Sequence, residues 1–192
     1  MSLQRIALAT VLLSAGWGSA QTYLATTTNN VTYPALSAPT TLALQPVFTG
    51  SNPVDQGRVT LPLGFTFPYF NRAYTQVTVS SDGLIHFEPY TSVLSLNRPI
   101  PYAGTPQAVI APLWDDLAGT NPLSRLRSEA LTGPDGAGIA IEWSEWNHFH
   151  ATSFYSLTFQ VRLWENGLIE LYYGPLTGAG QLLSASAGIE DP

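Results

Sequence analysis

The chain has 192 residues, of which 45% are hydrophobic, 11% aromatic and only 10% charged. That is about one domain's worth of chain, with material for a core and too little like charge for charge-driven disorder. Cysteine and lysine are both absent, which excludes disulfide scaffolds, thiolate zinc sites, cysteine nucleophiles, Schiff-base chemistry and a P-loop lysine. The 16 Gly and 15 Pro argue against a helical bundle. A formal net charge of -6 disfavours nucleic acid, whose binding rests on neutralising phosphates.

Residues 1–20 read as a secretory leader. Arg5 is the sole charge of a short n-region, Ile6 to Leu13 is a compact apolar run, and Gly18-Ser19-Ala20 supplies small residues at the cleavage point. A membrane span needs ~20 apolar residues, and Gly16, Trp17 and Gly18 interrupt this run. No later stretch approaches that length, so no membrane insertion is expected once the leader is removed. The mature chain would begin near Gln21, with six Arg (seven less Arg5) against 13 Asp and Glu.

Residues 21–56 are rich in Thr, Asn, Ser and Pro and read as an extended polar lead-in, with one or two short strands such as Thr41 to Leu44. From residue 57 to 192, short apolar or alternating runs are separated by turn residues. The predicted strands are Arg58 to Phe67, Gln76 to Ser80, Leu84 to Phe87, Val109 to Trp114, Ile139 to Trp143, Tyr155 to Trp164, Leu168 to Tyr173 and Ser184 to Ile189. Many short strands with frequent turn signals and no helical period predict an all-β, mostly antiparallel β-sandwich with short hairpins.

Two hairpins allow a register argument. A two-residue Asn166-Gly167 turn would set Leu163 against Glu170 and mix the faces. A three-residue turn, Glu165-Asn166-Gly167, pairs Leu163 with Ile169, Val161 with Leu171, Phe159 with Tyr173, and Arg162 with Glu170 on the other face. A one-residue slip moves every side chain to the wrong face, so the second register is expected. Ser81-Asp82-Gly83 likewise pairs Val79 with Ile85, Val77 with Phe87, and Thr78 with His86 on the outer side. Both turns need a left-handed glycine. The predicted core is Phe65, Phe67, Val77, Val79, Ile85, Phe87, Ile110, Trp114, Ile141, Trp143, Phe159, Val161, Leu163, Ile169 and Leu171.

The order of these pieces resembles the nidogen-type (NIDO-like) extracellular β-sandwich domain. The carrying segments are Leu63-Gly64-Phe65-Thr66-Phe67-Pro68-Tyr69-Phe70, Val77 to Phe87 around Ser81-Asp82-Gly83, Val109-Ile110-Ala111-Pro112-Leu113-Trp114-Asp115-Asp116-Leu117, Ile141-Glu142-Trp143, Leu157 to Gly167, Tyr172-Tyr173-Gly174 and Ala187-Gly188-Ile189-Glu190. They span about Leu61 to Asp191. Asp82-Gly83 stands where Asn-Gly is usual, and Leu113 where Phe is common. The resemblance implies a non-catalytic module on extracellular proteins and brings no catalytic residues with it. The expected role is therefore an exported binding or structural module in cell-surface or matrix adhesion, without a cofactor, whose partner is an extracellular protein or a glycan.

Other constellations compete with that reading. Asp115 and Asp116 end an apolar strand and could bind calcium, with Asn121 and nearby carbonyls adding oxygens; the simpler reading is that one carboxylate caps the following turn and the other is solvated. Glu142 and Glu145 flank Trp143, but in an extended strand residues three apart point to opposite faces, a poor arrangement for paired-carboxylate hydrolysis. His148 and His150 could share a strand face and grip a metal, although a third ligand is needed. Trp146, His148, His150 and Trp164 form the candidate ligand-binding set: an outward Trp could stack on a sugar, and the loop from Trp146 to Ser153 is rich in His, Asn and aromatic residues. A carbohydrate-binding module using Trp146 and Trp164, or a small secreted hydrolase using Glu142, Asp115 or Asp116, are the alternatives.

Overall fold

The computed structural model describes residues 4–10, 22–89, 95–149, 155–174, 177–178 and 184–192, with backbone alone at 4–10, 155 and 177–178. Short strands separated by glycine, proline and asparagine turns can bury an apolar face only by stacking sheet on sheet. In chain order the strands are β1 (Gln4–Thr10), β2 (Tyr23–Asn29), β3 (Thr40–Thr41), β4 (Gln45–Pro46), β5 (Gly57–Tyr69), β6 (Arg72–Ser80), β7 (Ile85–His86), β8 (Val109–Trp114), β9 (Leu117–Ala118), β10 (Arg125–Gly133), β11 (Gly136–His148), β12 (Tyr155–Trp164), β13 (Ile169–Tyr173), β14 (Thr177–Gly178) and β15 (Ser186–Glu190). No helix forms among the described residues.

The first sheet runs β2-β1-β13-β12-β11-β10-β3, with β14 on β12 and β9 on β11; the second runs β15-β8-β7-β6-β5-β4. Every pairing is antiparallel. The fold is thus the all-β sandwich expected from the turn spacing. Within the stretch read as a leader, the backbone of Gln4–Thr10 lies between β2 and β13.

Both three-residue turns take the expected register. Leu163 pairs with Ile169, Val161 with Leu171, Phe159 with Tyr173 and Arg162 with Glu170; Val79 pairs with Ile85 and Thr78 with His86. Gly83 and Gly167 carry φ of +73° and +90°. At Gly83 the need for glycine is double, because an added Cβ would lie 2.0 Å from the carbonyl oxygen of Leu113.

One core joins the inner faces. Phe67, Val77, Val79, Ile85, Phe87 and Ile110 of the second sheet meet Ile141, Trp143, Phe159, Val161, Leu163, Ile169 and Leu171 of the first. Trp143 stacks on Phe159 with centroids 4.9 Å apart. The single hydroxyl proton of Tyr69 is shared between two carbonyls of the same sheet, Val109 (2.7 Å) and Glu190 (2.9 Å).

Three expectations shift. Phe65 is half-buried at the margin, because β5 is irregular between Pro62 and Phe67 and gives the inward place to Leu63. Trp114 is buried in a second cluster, with Leu84, Val109, Ala111 and Ile100, on the far face of the second sheet. The segment around residues 97–102 closes that face: Tyr102 N–H donates to the Glu190 carboxylate (2.9 Å), and Asn97 bonds Ser186 (3.3 Å). His86, expected outside, is buried at 3% exposure and pairs with Val109 of that cluster. Burial, with Arg58 nearby adding to it, pushes its pKa down to about 3.

Strand β10 is the largest element that the sequence pattern did not indicate. It pairs along its whole length with β11, from Arg125↔Ser144 to Gly133↔Gly136, through the Pro134-Asp135 turn. The lead-in is also woven into the sandwich: β3 pairs with β10 and β4 with β5. Between β2 and β3 the chain crosses the outside of the first sheet as a strap, held by side-chain bonds.

Candidate functional site

The organising feature is a β-bulge in β11. Pairing with β12 steps from Trp143↔Phe159 to Trp146↔Leu157, so β11 has one extra residue there. Glu145 absorbs it at φ +57°, a left-handed conformation that an L-residue adopts at some cost. The backbone around it is over-determined. Glu145 N–H donates to Thr158 Oγ1 (3.1 Å), and its carbonyl accepts from Ser124 Oγ.

The extra residue resets the alternation. Trp143 and Trp146 both face the core, and their indole N–H groups donate to the successive carbonyls of Ser80 and Ser81, each at 3.0 Å. Glu142 and Glu145 therefore share the opposite side. This corrects the expectation that they point to opposite faces: strict alternation holds only for a strand without a bulge. Both line a cleft of about 310 Å³ with Arg127, Ser144, Ser156 and Thr158, walled by Tyr33, Ala35 and Leu36 of the strap.

The two carboxylates are not equivalent. Glu142 is 1% exposed. Its Oε1 accepts from Arg127 Nε (3.0 Å) and Nη2; its Oε2 accepts from the Tyr33 hydroxyl (2.8 Å) and Gln160 Nε2 (3.2 Å). Tyr33, half-buried beside that charge, has its pKa pushed well above the ordinary phenol value by desolvation and by the Glu142 carboxylate. The Glu145 carboxylate, half-buried, accepts from Ser156 Oγ. The strap is fastened further along: Pro34 carbonyl accepts from Gln160 (3.1 Å), and Glu129 accepts from the N–H groups of Ser37 (2.7 Å) and Ala38 (3.2 Å) and from Ser37 Oγ. These bonds, that from the Ser37 hydroxyl foremost, hold the Glu129 pKa below the usual carboxylate value.

The aromatic candidates lie elsewhere. Trp146 is 2% and Trp164 7% exposed. Trp164 does take the outer face, but its ring lies on Gly133 and Gly138 and its Nε1 donates to Glu170 (3.0 Å), which also accepts from the Tyr172 hydroxyl (2.9 Å). Neither ring offers a face on which a sugar could stack, which corrects the reading of both as surface platforms. The reason lies in the sandwich: the bulge turns Trp146 inward, and small residues on β10 and β11 make a bed for Trp164.

His148 and Asp115 meet, with Nε2 to Oδ1 at 3.6 Å; His150 lies outside the described residues. Asp115 is buried, and its Oδ1 accepts from the N–H of Asp116 (3.0 Å) and from Ser184 Oγ (3.3 Å). It thus caps its own turn while Asp116 is half-buried. Asn121, offered as a third calcium ligand, uses its Oδ1 on the N–H of Leu123 (2.9 Å) in a turn of its own. Among the described residues, no group of three or more His, Asp or Glu is placed to hold a metal ion.

The fold and site together define an all-β sandwich module whose most distinctive polar feature is a strap-walled cleft. The pattern of the family described as NIDO related matches residues 22–192, and the chain belongs to that family, a nidogen-like module of the extracellular type. No curated protein and no solved structure matches the chain significantly. No helix among the described residues is long and apolar enough to cross a membrane.

Sequence reasoning passed over Arg127, Tyr33, Ser156 and Thr158. A turn signal at Pro134-Asp135-Gly136, with β-like chain on either side, marks the β10–β11 hairpin and would have placed Arg127 opposite Glu142. Nothing local marks Tyr33, which reaches Glu142 from 109 positions away.

Proposed function

We propose that this chain is an exported, non-catalytic binding or structural module that acts in cell-surface or matrix adhesion, with an extracellular protein as its partner. The observation that carries the non-catalytic reading is Glu142. Four donors on its two oxygens, with almost no exposure, leave it no free lone pair aimed at a substrate, as a nucleophile or general base requires. Export rests on the pattern of residues 1–20, and on a family match that starts at residue 22. Removal of residues 1–20 takes β1 from between β2 and β13. The mature sandwich then either pairs β2 directly with β13 or presents the backbone of Ile169–Tyr173 as an open edge.

The test is the intact mass of the chain as exported, followed by its retention on immobilised matrix proteins and glycans and its action on chromogenic glycosides and esters. A mass starting near Gln21, retention on a protein and no turnover are expected. A mass retaining Met1 would overturn export. Turnover that Glu142→Gln abolishes would overturn the non-catalytic reading.

A further inference from the structure

We infer that the cleft beside the β11 bulge is a receptor for one basic side chain, a guanidinium carried by the protein partner; the source of that side chain rests on the binding-module reading above. The lining carries Arg127, Glu142 and Glu145. Arg127 and Glu142 form an ion pair, so the lining keeps one negative charge, on Glu145. Among the described residues the only side chain bonded to the Glu145 carboxylate is the neutral hydroxyl of Ser156. Among the described residues, the carboxylate is therefore provided with an orienting bond and has no cation.

The rest of the lining suits an arginine. Ser144, Ser156 and Thr158 add hydroxyl oxygens, while Ala35, Leu36 and the ring of Tyr33 add an apolar wall. An arginine buries its methylene stem on apolar surface and keeps its head polar. Its planar fork can engage a carboxylate and still have N–H groups for neighbouring hydroxyls, which a compact ammonium does less well. A cleft of about 310 Å³ lies at the small end of ligand pockets and suits a side chain rather than a multi-ring molecule. The bulge that creates this arrangement keeps Glu145 at φ +57°, and bulges commonly re-aim a side chain at functional places.

The probe is Nα-acetyl-arginine amide, titrated into the ¹⁵N-labelled protein, with Nα-acetyl-citrulline amide as its neutral isostere. Saturable shifts at the amides of Ser144, Glu145, Ser156 and Thr158 are expected with arginine and not with citrulline. Glu145→Gln should weaken binding about tenfold or more, the equivalent of losing ~1.4 kcal/mol, with an unchanged melting temperature. Glu145→Asp should keep part of the affinity. A blocked Gly-Gly-Arg-Gly-Gly peptide should bind at least as well as the single residue; failure of the peptide alone would overturn a protein source in favour of a free small cation. Equal shifts with citrulline, shifts scattered away from the cleft, or no effect of Glu145→Gln would overturn the site. A protein partner whose retention ignores Glu145→Gln would overturn this inference and leave the module reading standing.

Discussion

Arg127→Met separates a structural from a catalytic Glu142. The substitution keeps most of the methylene stem and deletes the charge that faces Oε1 of a carboxylate 1% exposed to solvent. Removing one partner of a buried ion pair costs about 3–5 kcal/mol, because the remaining charge stays desolvated. The Arg127 side chain is 31% exposed, so water can partly replace it, and Tyr33 and Gln160 still donate to Oε2. A loss of about 2–4 kcal/mol is expected, a large share of the 5–15 kcal/mol typical of a domain. In a chain of this length that lowers the melting temperature by roughly 4–16 °C. Glu142→Gln in the Arg127→Met background removes the stranded charge. The double variant should therefore be more stable than Arg127→Met alone, with a coupling of about 1–3 kcal/mol. Urea denaturation followed by tryptophan fluorescence reads wild type, Arg127→Met, Glu142→Gln and the double variant, since Trp114, Trp143, Trp146 and Trp164 are buried. A loss below about 0.5 kcal/mol for Arg127→Met, in the range of ordinary surface changes, would refute the claim that Glu142 is held as a buried structural anion.

Other perturbations probe other parts of the argument. Gly64→Ala and Gly83→Ala both place alanine at positive φ, but an added Cβ at Gly64 meets nothing within 4 Å whereas at Gly83 it meets the Leu113 carbonyl at 2.0 Å. Thermal melts should show a loss of about 1–2 kcal/mol for the first and at least twice that for the second; equal losses would refute the close packing of the turn. His86 has its pKa lowered to about 3, so below the unfolded value of 6.5 the unfolded chain takes up a proton that the folded chain refuses. Its contribution therefore falls as the pH falls from 6.5 towards 3, by about 1.4 kcal/mol per pH unit. Denaturation of wild type and His86→Gln at pH 7, 5 and 4 should show the stability gap moving in favour of the variant on acidification, and a gap independent of pH would refute the burial. Trp164→Ala should lower stability by about 3–5 kcal/mol, as for a packed aromatic; a change within ~0.5 kcal/mol, together with lost glycan retention, would restore Trp164 as a surface platform.

Much of the fold was legible in the chain because its signals are local. Glycine at the third turn position set the register of two hairpins, and alternation then put Val161, Leu163, Ile169 and Leu171 in the core without reference to any distant residue. The Arg125–Gly133 strand was missed because its inward side holds Ser128 beside Leu126 and carries little apolar contrast, so pairing with β11 rather than its own pattern decides it. The cleft was illegible for a related reason. A bulge costs one residue of register and announces itself by no residue type, here a glutamate, yet it reversed the facing of Trp146 and brought Glu145 to the side of Glu142.

The amino-acid sequence by itself thus determined the all-β class, the hairpin registers and most of the core, which follow from spacing and turn chemistry within some fifteen residues, while the family resemblance rested on the order of segments from about Leu61 to Asp191. Only the tertiary structure decided which outward faces are covered. The segment around residues 97–102 closes over the cluster that holds Trp114 and Val109, the strand partner of His86, and the Tyr33–Ala38 strap closes over Glu142. Burial of a polar side chain depends on what crosses it from far along the chain, and the alternation of its own strand carries no record of that.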